Sequence, residues 1–466
     1  MAELGSQPTS VQSIYNWHAE GKLFVNRRYQ RKLVWTLEEK QKLVESILRK
    51  YPIPAILLAE RDGNGGQYEI IDGLQRLNAI ISFIEGAFST PDGRYFNIAA
   101  LPTAQGRLQE DKFAPVSQDT LIDQKEVSTL LDYILALSIM RRASDKEVDE
   151  VFDRINSYGH RLSDQERRQA GIQNDFSEMV RDLACTLRGD ESEPVMPLSK
   201  MPAISIDLPM TKHGYSVRAE DVFWVTQGIL RSTDLRDSMD EQCIADIGAS
   251  IVLGNMIERS KEELDNLYGG DEERANALLD ALTVYGKDTF SDEFKFCIDQ
   301  IVQVCDSDEP DKLRSLIFER RTTNAFPAVF SVIFVAFHEM FVREKKHISS
   351  YPQVKKAMHN LTGRIETSRR ATSPDERRKN VDTIKGLIAP HFVNGDLSKE
   401  IYSNHSTTDI DSAIRRSAIE LSYYELKQGI VALDAQRGVN QTLLERINAA
   451  ICGMADNGPD RAGKIL

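Results

Sequence analysis

The chain has 466 residues and a formal net charge of −13, with 41% hydrophobic and 28% charged residues. This length predicts roughly three domains, and the composition is that of a folded globular protein, which excludes wholesale disorder. The negative charge argues against a protein that coats nucleic acid non-specifically, although a local basic face remains compatible with phosphate binding.

Three elements are predicted near the N-terminus. Thr36 and Glu39 form a capping box at the start of an amphipathic helix over 36–50. Two short apolar runs, 55–60 and 68–71, are separated by turn residues. This pattern predicts two paired strands directly after the helix.

Helical patterns dominate the chain from Gly73 onwards. Apolar residues at spacings of three and four predict a helix that ends near Gly86. Two further capping boxes, at 144–147 and 163–166, predict a helix on each side of the intervening glycine turn. Residues 175–395 are predicted to be almost wholly helical.

Neither targeting nor metal-binding patterns are evident in the sequence. The N-terminus lacks the basic start and apolar core of a secretory signal, and the most apolar run, 325–341, is too short for a usual membrane span. We read that run as a buried helix and expect a cytoplasmic protein without a membrane partner. The five cysteines contain no CxxC pair and the eight histidines no HExxH spacing, which argues against zinc sites.

The stretch YEIIDGLQR, residues 68–76, joins an apolar strand to the start of a helix. Gly73 permits a tight turn, and free backbone N–H groups at a helix start attract an anion. Arg76 lies one turn into the helix, where its guanidinium could bind phosphate oxygens, and Asp72 could hold a metal-bound water or cap the helix. The alternative is a plain Asp-Gly turn with a surface arginine.

Two other polar clusters are candidates for nucleotide or base recognition. The first, VNRRYQRKLVW over 25–35, sets basic residues beside aromatic ones, including Tyr29, Gln30 and Arg31. A solvated basic loop is the alternative. The second, FDRINSYGHRLSDQE over 152–166, contributes Arg154, Asn156, His160 and Gln165. These residues could equally serve only to stabilise the turn.

A carboxylate and lysine pattern lies near the C-terminus. Glu420 precedes a predicted strand over 423–427 on which Glu425 and Lys427 point to the same face. Two carboxylates and a cation suit metal-assisted phosphodiester cleavage, with Mg²⁺ or Mn²⁺ held by Glu420 and Glu425. The alternative is a surface ion pair.

A basic run over 364–379 is the last candidate for phosphate contact. The segment 367–380 is polar and rich in charge, which predicts an exposed loop or helix start. Acidic residues interrupt the run, so a solvated loop is favoured over a phosphate-binding surface.

In this order and spacing, YQR, YPIP, IDGLQR and FDRINSYGHRLS resemble the DGQQR-motif family, which includes the N-terminal half of GmrSD-type restriction endonucleases. The resemblance covers residues 10–175. It implies a ParB/sulfiredoxin-like α/β domain that binds and hydrolyses a nucleoside triphosphate and acts against phage DNA. By this resemblance Asp72, Gly73, Gln75 and Arg76 form the nucleotide motif, with Tyr29, Gln30, Arg31 and Asn156 nearby.

One residue departs from that motif. Leu74 stands where the family name has glutamine, and leucine cannot hydrogen-bond. Any contribution of that glutamine to positioning water or base is therefore missing, and hydrolysis could be slow or absent.

The C-terminal segment 412–466 resembles the opening of a Schlafen-AlbA domain, some members of which are nucleases. The resemblance implies that Glu420 and Glu425 are metal ligands, with Lys427 beside them. The apolar ending GKIL looks like a strand cut short, so we expect a fragment of a longer protein, with a natural terminal strand as the alternative.

These observations predict an α+β, mostly α, protein with three parts. They are a DGQQR-motif nucleotide-binding domain at 1–175, one or more helical domains at 176–400, and the start of a nuclease-like domain at 401–466. The predicted function is nucleotide-dependent defence or restriction, with triphosphate turnover gating the nuclease. The alternative is a non-hydrolysing module that binds nucleotide or DNA. A homo-oligomer is a possible partner state that the sequence neither predicts nor excludes.

Overall fold

The computed structural model describes residues 3–27, 33–61, 66–117, 119–158, 163–171, 174–190, 193, 195–201, 206–207, 217–395 and 397–402. It is mostly helical, with a six-stranded mixed sheet in its N-terminal part, which confirms the predicted α+β, mostly α, class. The chain divides into two compact units. Unit 1 consists of Met1–Ala245, Lys312–Arg314 and Thr322–Pro327, and unit 2 of Asp246–Asp311, Ser315–Arg321 and Ala328–Leu466.

The regular elements are numbered here in chain order. The strands are β1 Glu3–Ser10, β2 Leu23–Asn26, β3 Ile56–Glu60, β4 Tyr68–Asp72, β5 Ile134–Arg141, β6 Val195–Pro197, β7 Ile206–Asp207, β8 Val217–Arg218, β9 Lys346–Ile348 and β10 Phe392–Asn394. The helices up to the end of the sheet are α1 Val11–Ala19, α2 Leu37–Leu48, α3 Leu74–Ile84, α4 Pro102–Gln109, α5 Gln124–Leu131, α6 Asp145–Tyr158, α7 Asp164–Gly171 and α8 Asp175–Arg188. The later helices are α9 Phe223–Thr226, α10 Met239–Val252, α11 Lys261–Asp265, α12 Glu272–Tyr285, α13 Lys287–Asp306, α14 Leu313–Ile317, α15 Pro327–His338, α16 Tyr351–Met358, α17 Pro374–Ile388 and α18 Ser398–Ile401.

The sheet of unit 1 has the strand order β1-β5-β3-β4-β2-β6. Neighbours pair antiparallel in β1/β5, β3/β4 and β2/β6, and parallel in β3/β5 and β2/β4. The predicted pairing of the runs 55–60 and 68–71 is thereby confirmed. A register shift between Leu57 and Leu58 sets Leu57 opposite Asp72. The irregularity therefore lies at the end of β4, where a bulge can redirect side chains.

Apolar side chains on β3 and β4 cover both faces of the sheet, as the two-residue period of a strand requires. On one face Leu58 and Ile70 join the main core together with α1, α2 and α3. On the other face Leu57 and Ile71 pack against residues of α6, including Phe152. The end of β4 therefore lies between two helical layers.

Local capping signals correctly predicted three helix starts. Thr36 and Glu39 exchange side-chain to backbone hydrogen bonds at the start of α2. The same reciprocal bonds join Ser144 with Glu147, and Ser163 accepts and donates in the same way with Glu166. These helix boundaries depend on residues three apart, so the sequence alone reveals them.

The most apolar run of the chain lies in unit 2. It forms α15, which is followed directly by a π-helical turn over Glu339–Arg343. Residues 330–338 are all buried, which confirms the predicted buried helix. Among the described residues, no helix is both long enough and apolar enough to cross a membrane.

The segment 367–380 contains a helix start, which confirms one of its two predicted forms, but the basic run 364–379 is not wholly the solvated loop that was favoured over a phosphate-binding surface. Ser373 caps α17, and Arg377 inside this helix is fully buried. Arg377 donates to both carboxylate oxygens of Asp246, at 2.9 and 2.7 Å, and to the carbonyl of Ile257 at 2.6 Å. The burial of Arg377 was not predicted because its partner Asp246 lies 131 residues away in sequence.

Candidate functional site: the turn after strand β4

The DGLQR turn connects the end of β4 to the start of α3. Gly73 is the residue before the helix and has a φ of 101°, in the left-handed region. A Cβ atom there would lie 2.9 Å from Cγ1 of Ile56, so both backbone conformation and space require glycine. The first backbone N–H groups of α3 emerge at this turn, where a helix has donors without helical acceptors.

Arg76 holds the turn against the preceding loop. Its Nη1 donates to the carbonyls of Pro54, at 2.6 Å, and Ala55, at 3.1 Å, and its Nη2 donates to Oδ2 of Asp72 at 2.7 Å. The residue is only 9% exposed. The alternative of a surface arginine is therefore wrong, and two of the guanidinium nitrogens already have protein acceptors.

Asp72 is the accessible carboxylate of the turn. Its side chain is 42% exposed and accepts from Arg76 rather than capping the helix, because the cap position is occupied by Gly73. The expectation of an Asp72 helix cap is thus wrong. The other carboxylate oxygen, Oδ1, makes no hydrogen bond within the described part of the chain.

Gln75 connects α3 to the basic segment. Its Oε1 accepts from the backbone N–H groups of Val34, at 3.0 Å, and Trp35, at 3.3 Å. Tyr29, Gln30 and Arg31 lie outside the described residues, but the chain that follows them is fixed at the turn by these two bonds. Gln75 therefore positions the end of the segment that the resemblance assigns to nucleotide binding.

Leu74 is a core residue. It is 3% exposed and belongs to the main apolar core of unit 1. A side chain at this position points away from solvent, so the leucine fits its surroundings. The position therefore supplies no polar group to the turn.

The first arginine of the basic segment is engaged in the protein interior. Arg27 forms a two-pronged ion pair with Asp190 at 3.0 and 2.5 Å, and its Nη2 lies 3.6 Å from Sγ of Cys185. Arg188 donates to the same sulfur at 3.3 Å and to Asp240 at 2.7 Å. Sequence patterns did not single out this buried cluster, since its members are scattered along the chain.

The third polar cluster lies at the end of α6 and the start of α7. Arg154 pairs with Glu150 on the surface, and Gln165 is buried and accepts from Arg168 at 3.1 Å. The backbone of Asn156 lies in the last turn of α6, but its side chain and His160 are outside the described residues. The structure therefore places the backbone of this cluster on α6, the helix that covers the end of β4, but not the side chains of Asn156 and His160.

No described group of three or more histidine, cysteine and acidic side chains is arranged to hold a metal ion. Glu420, Glu425 and Lys427, which were predicted as a metal site, all lie outside the described residues. At the turn itself, the accessible carboxylate is that of Asp72.

Comparison with known proteins gives one family for the region that contains this turn. No curated protein matches the chain. A family model does match, and it spans α1 to α7 and four of the six sheet strands, including the DGLQR turn. Residues 11–173 are similar to the family described as GmrSD restriction endonuclease, N-terminal domain, which supports a GmrSD-type family for this part of the chain.

Proposed function

We propose that unit 1 binds a nucleoside triphosphate with its phosphates at the DGLQR turn, and that the chain is part of a restriction or phage-defence system that acts on DNA. The observation that carries the proposal is the turn itself. A left-handed glycine brings the N-terminus of α3 to the end of β4, next to a half-exposed carboxylate. Backbone N–H groups at a helix start favour phosphate, and a carboxylate can hold the water shell of Mg²⁺ or Mn²⁺.

Each residue of the motif has a distinct task in this proposal. Gly73 gives the backbone room to approach the phosphates, and Asp72 holds the metal-bound water. Arg76 and Gln75 position the turn and the basic segment, because both are already bonded to backbone groups. Tyr29, Gln30, Arg31 and Asn156 would contact the nucleotide.

The effector step of the proposal belongs to the C-terminal segment. Glu420 and Glu425 would hold the metal ion and Lys427 would stabilise the charge that develops during phosphodiester cleavage. Nucleotide state would gate this activity. The family description, which names a restriction endonuclease, supports DNA as the partner.

Two observations favour a second candidate, a module that binds nucleotide without turnover. Leu74 brings no polar group to the turn, and two guanidinium nitrogens of Arg76 are committed to Pro54, Ala55 and Asp72. Transition-state charge would then have to be stabilised by groups other than these two nitrogens. Binding and turnover must therefore be measured separately.

The test compares wild type with Asp72→Asn for phosphate release from ATP, GTP, CTP and UTP with Mg²⁺, with and without DNA. Asp72→Asn keeps the shape of the turn, and Glu38→Gln, on the exposed face of α2, is the matched control. We expect turnover that Asp72→Asn abolishes and Glu38→Gln does not. Nucleotide binding without turnover would support the second candidate, and absence of both would exclude a nucleotide site.

A further inference from the structure

Arg27 follows directly after β2, at the same edge of the sheet as the DGLQR turn. β2 and β4 are parallel neighbours, so their carboxyl ends lie at one edge, the edge at which open α/β sheets commonly bind ligands. Asn26, the last residue of β2, donates to Oε1 of Glu69 in β4 at 3.2 Å. The chain that leaves β2 therefore starts beside the strand that leads into the turn.

The guanidinium of Arg27 is held by a buried carboxylate. Its Nη1 and Nη2 donate to Oδ1 and Oδ2 of Asp190 at 3.0 and 2.5 Å, and the two side chains are 9% and 1% exposed. A two-pronged pair of this kind fixes orientation as well as charge. Because both terminal nitrogens already have acceptors, Arg27 acts on the chain around it and not on a bound anion.

Asp190 is fixed in turn by the end of α8. Gly189 has a φ of 72°, and its N–H donates to the carbonyl of Thr186 at 3.0 Å. The N–H of Asp190 donates to the carbonyl of Cys185 at 2.8 Å. These two bonds form a Schellman motif, which sets the direction of the chain after a helix. The family match ends at residue 173, so Asp190 lies outside it.

The chain that leaves β2 is also held further along. Oε1 of Gln75 accepts from the backbone N–H groups of Val34 and Trp35. Arg27 and Gln75 thus fix the chain on both sides of the segment 28–32, three residues of which the proposed function assigns to the nucleotide. A ligand binds more tightly to a chain that is already held in place, because less ordering is left for the binding step.

We propose that Arg27 and Asp190 are positioning residues that set the triphosphate affinity of unit 1, so that the nucleotide site depends on a residue beyond the family match. This inference rests on the nucleotide function proposed for the DGLQR turn. Asp190 holds Arg27, and Arg27 holds the chain at the end of β2. Loss of the pair removes no contact to the phosphates, but it leaves this chain to be ordered when the ligand binds.

The test is calorimetric titration of the full chain with ATP, GTP, CTP and UTP in the presence of Mg²⁺, at a temperature at which circular dichroism shows each variant folded. Asp190→Asn keeps the shape of the side chain and removes its charge. Arg27→Lys keeps the charge and removes the two-pronged geometry. For a triphosphate that wild type binds, we expect affinity to fall about tenfold in Asp190→Asn and about threefold in Arg27→Lys.

Glu126→Gln is the matched control. Glu126 in α5 receives a two-pronged pair from Arg94 in the same unit, and neither residue belongs to the DGLQR turn or to the chain after β2. This variant should bind the triphosphate as wild type does. If Asp190→Asn does not fold, the comparison of Arg27→Lys with this control decides the matter.

The outcomes separate this inference from the nucleotide proposal. Wild-type affinity in the folded variants would overturn the inference alone. Tighter binding in Asp190→Asn would also overturn it, because Asp190 would then compete with the phosphates for Arg27. An equal loss in Glu126→Gln would show a general effect of lost ion pairs and would overturn it too. Absence of triphosphate binding by wild type would overturn the nucleotide proposal and this inference with it.

Discussion

Arg76 reaches back one helical turn to Asp72 and, with its other terminal nitrogen, to the carbonyls of Pro54 and Ala55. The same side chain thus joins the end of β4, the start of α3 and the loop before β3. This relationship makes Arg76 a positioning residue for the turn.

Arg76→Ala should destabilise unit 1 strongly, because two backbone carbonyls lose their donor in a buried place. We expect a cost of about 1–3 kcal/mol in the free energy of unfolding. Asp72→Ala should cost less, about 0–1 kcal/mol, since its ion pair is partly solvated. Urea denaturation of both variants measures the difference. Equal losses of unfolding free energy in the two variants would mean that the ion pair, and not the carbonyl contacts, accounts for the effect of Arg76→Ala.

Gly73→Ala should lower the stability of unit 1 more than the same substitution at another glycine with positive φ. Gly93 has a φ of 84° and nothing within 4 Å of an added Cβ, whereas Gly73 meets Ile56 at 2.9 Å. Both variants are destabilised by backbone strain of about 1–2 kcal/mol, and only Gly73→Ala adds a steric clash. Thermal unfolding of the two variants isolates that clash. A Gly93→Ala variant as unstable as Gly73→Ala would contradict this account.

Arg377→Ala should destabilise unit 2. Because Arg377 lies in a buried ion pair and not at a nucleic-acid contact, this loss of stability should not depend on salt concentration in the way that nucleic-acid binding does. Removal of Arg377 takes two donors from the buried Asp246, and Arg259, at 3.0 Å from the same carboxylate and 18% exposed, remains, so we expect a cost of about 3 kcal/mol, at the low end for breaking a buried ion pair. Lys379→Ala, two residues away and 74% exposed, should change stability by less than about 0.5 kcal/mol. The comparison is made by urea denaturation. A loss of less than about 1 kcal/mol in Arg377→Ala would show that Arg259 alone compensates the charge of Asp246.

Glu339 should make unit 2 sensitive to acid. Burial raises the pKa of this carboxyl, but hydrogen bonds from Arg378 and Lys385 outweigh it and lower the pKa from 4.5 to about 2. A depressed folded-state pKa stabilises the protein above the unfolded value, and that stability is lost as the pH falls from 4.5 towards 2. The full contribution is about 3 kcal/mol, of which about 2 kcal/mol should disappear between about pH 6 and about pH 3.

Urea denaturation across this pH range checks the prediction. Glu339→Gln should be less stable than wild type near neutral pH and should lose less stability on acidification. Glu273→Gln, an exposed change at the start of α12, should follow wild type. Parallel pH curves for wild type and Glu339→Gln would show that this carboxyl is not the acid-sensitive group.

The sequence predicted those features that neighbouring residues determine. The capping box at Thr36 and Glu39 and the paired strands around 62–66 depend on spacings of a few residues, and each was confirmed. The tight turn at Gly73 was also correctly inferred. Local chemistry therefore identified the position of the candidate site.

Features that depend on distant partners were not predictable. Arg76 bonds to a carbonyl 22 residues away, and Arg377 to a carboxylate 131 residues away. In the sequence each is one arginine within a polar stretch, so both were considered for phosphate binding. Only the folded chain shows that buried acceptors already occupy much of the hydrogen-bonding capacity of these two arginines.

Tyr402 contributes its hydroxyl to the interior of unit 2. Its hydroxyl donates to Oε1 of Glu293 at 2.5 Å, and the buried carboxylate also receives Tyr285 and His338. A shortened protein that ends before Tyr402 would deprive Glu293 of one donor and weaken its own interior. Fragments that are meant to keep this interior intact should therefore retain Tyr402.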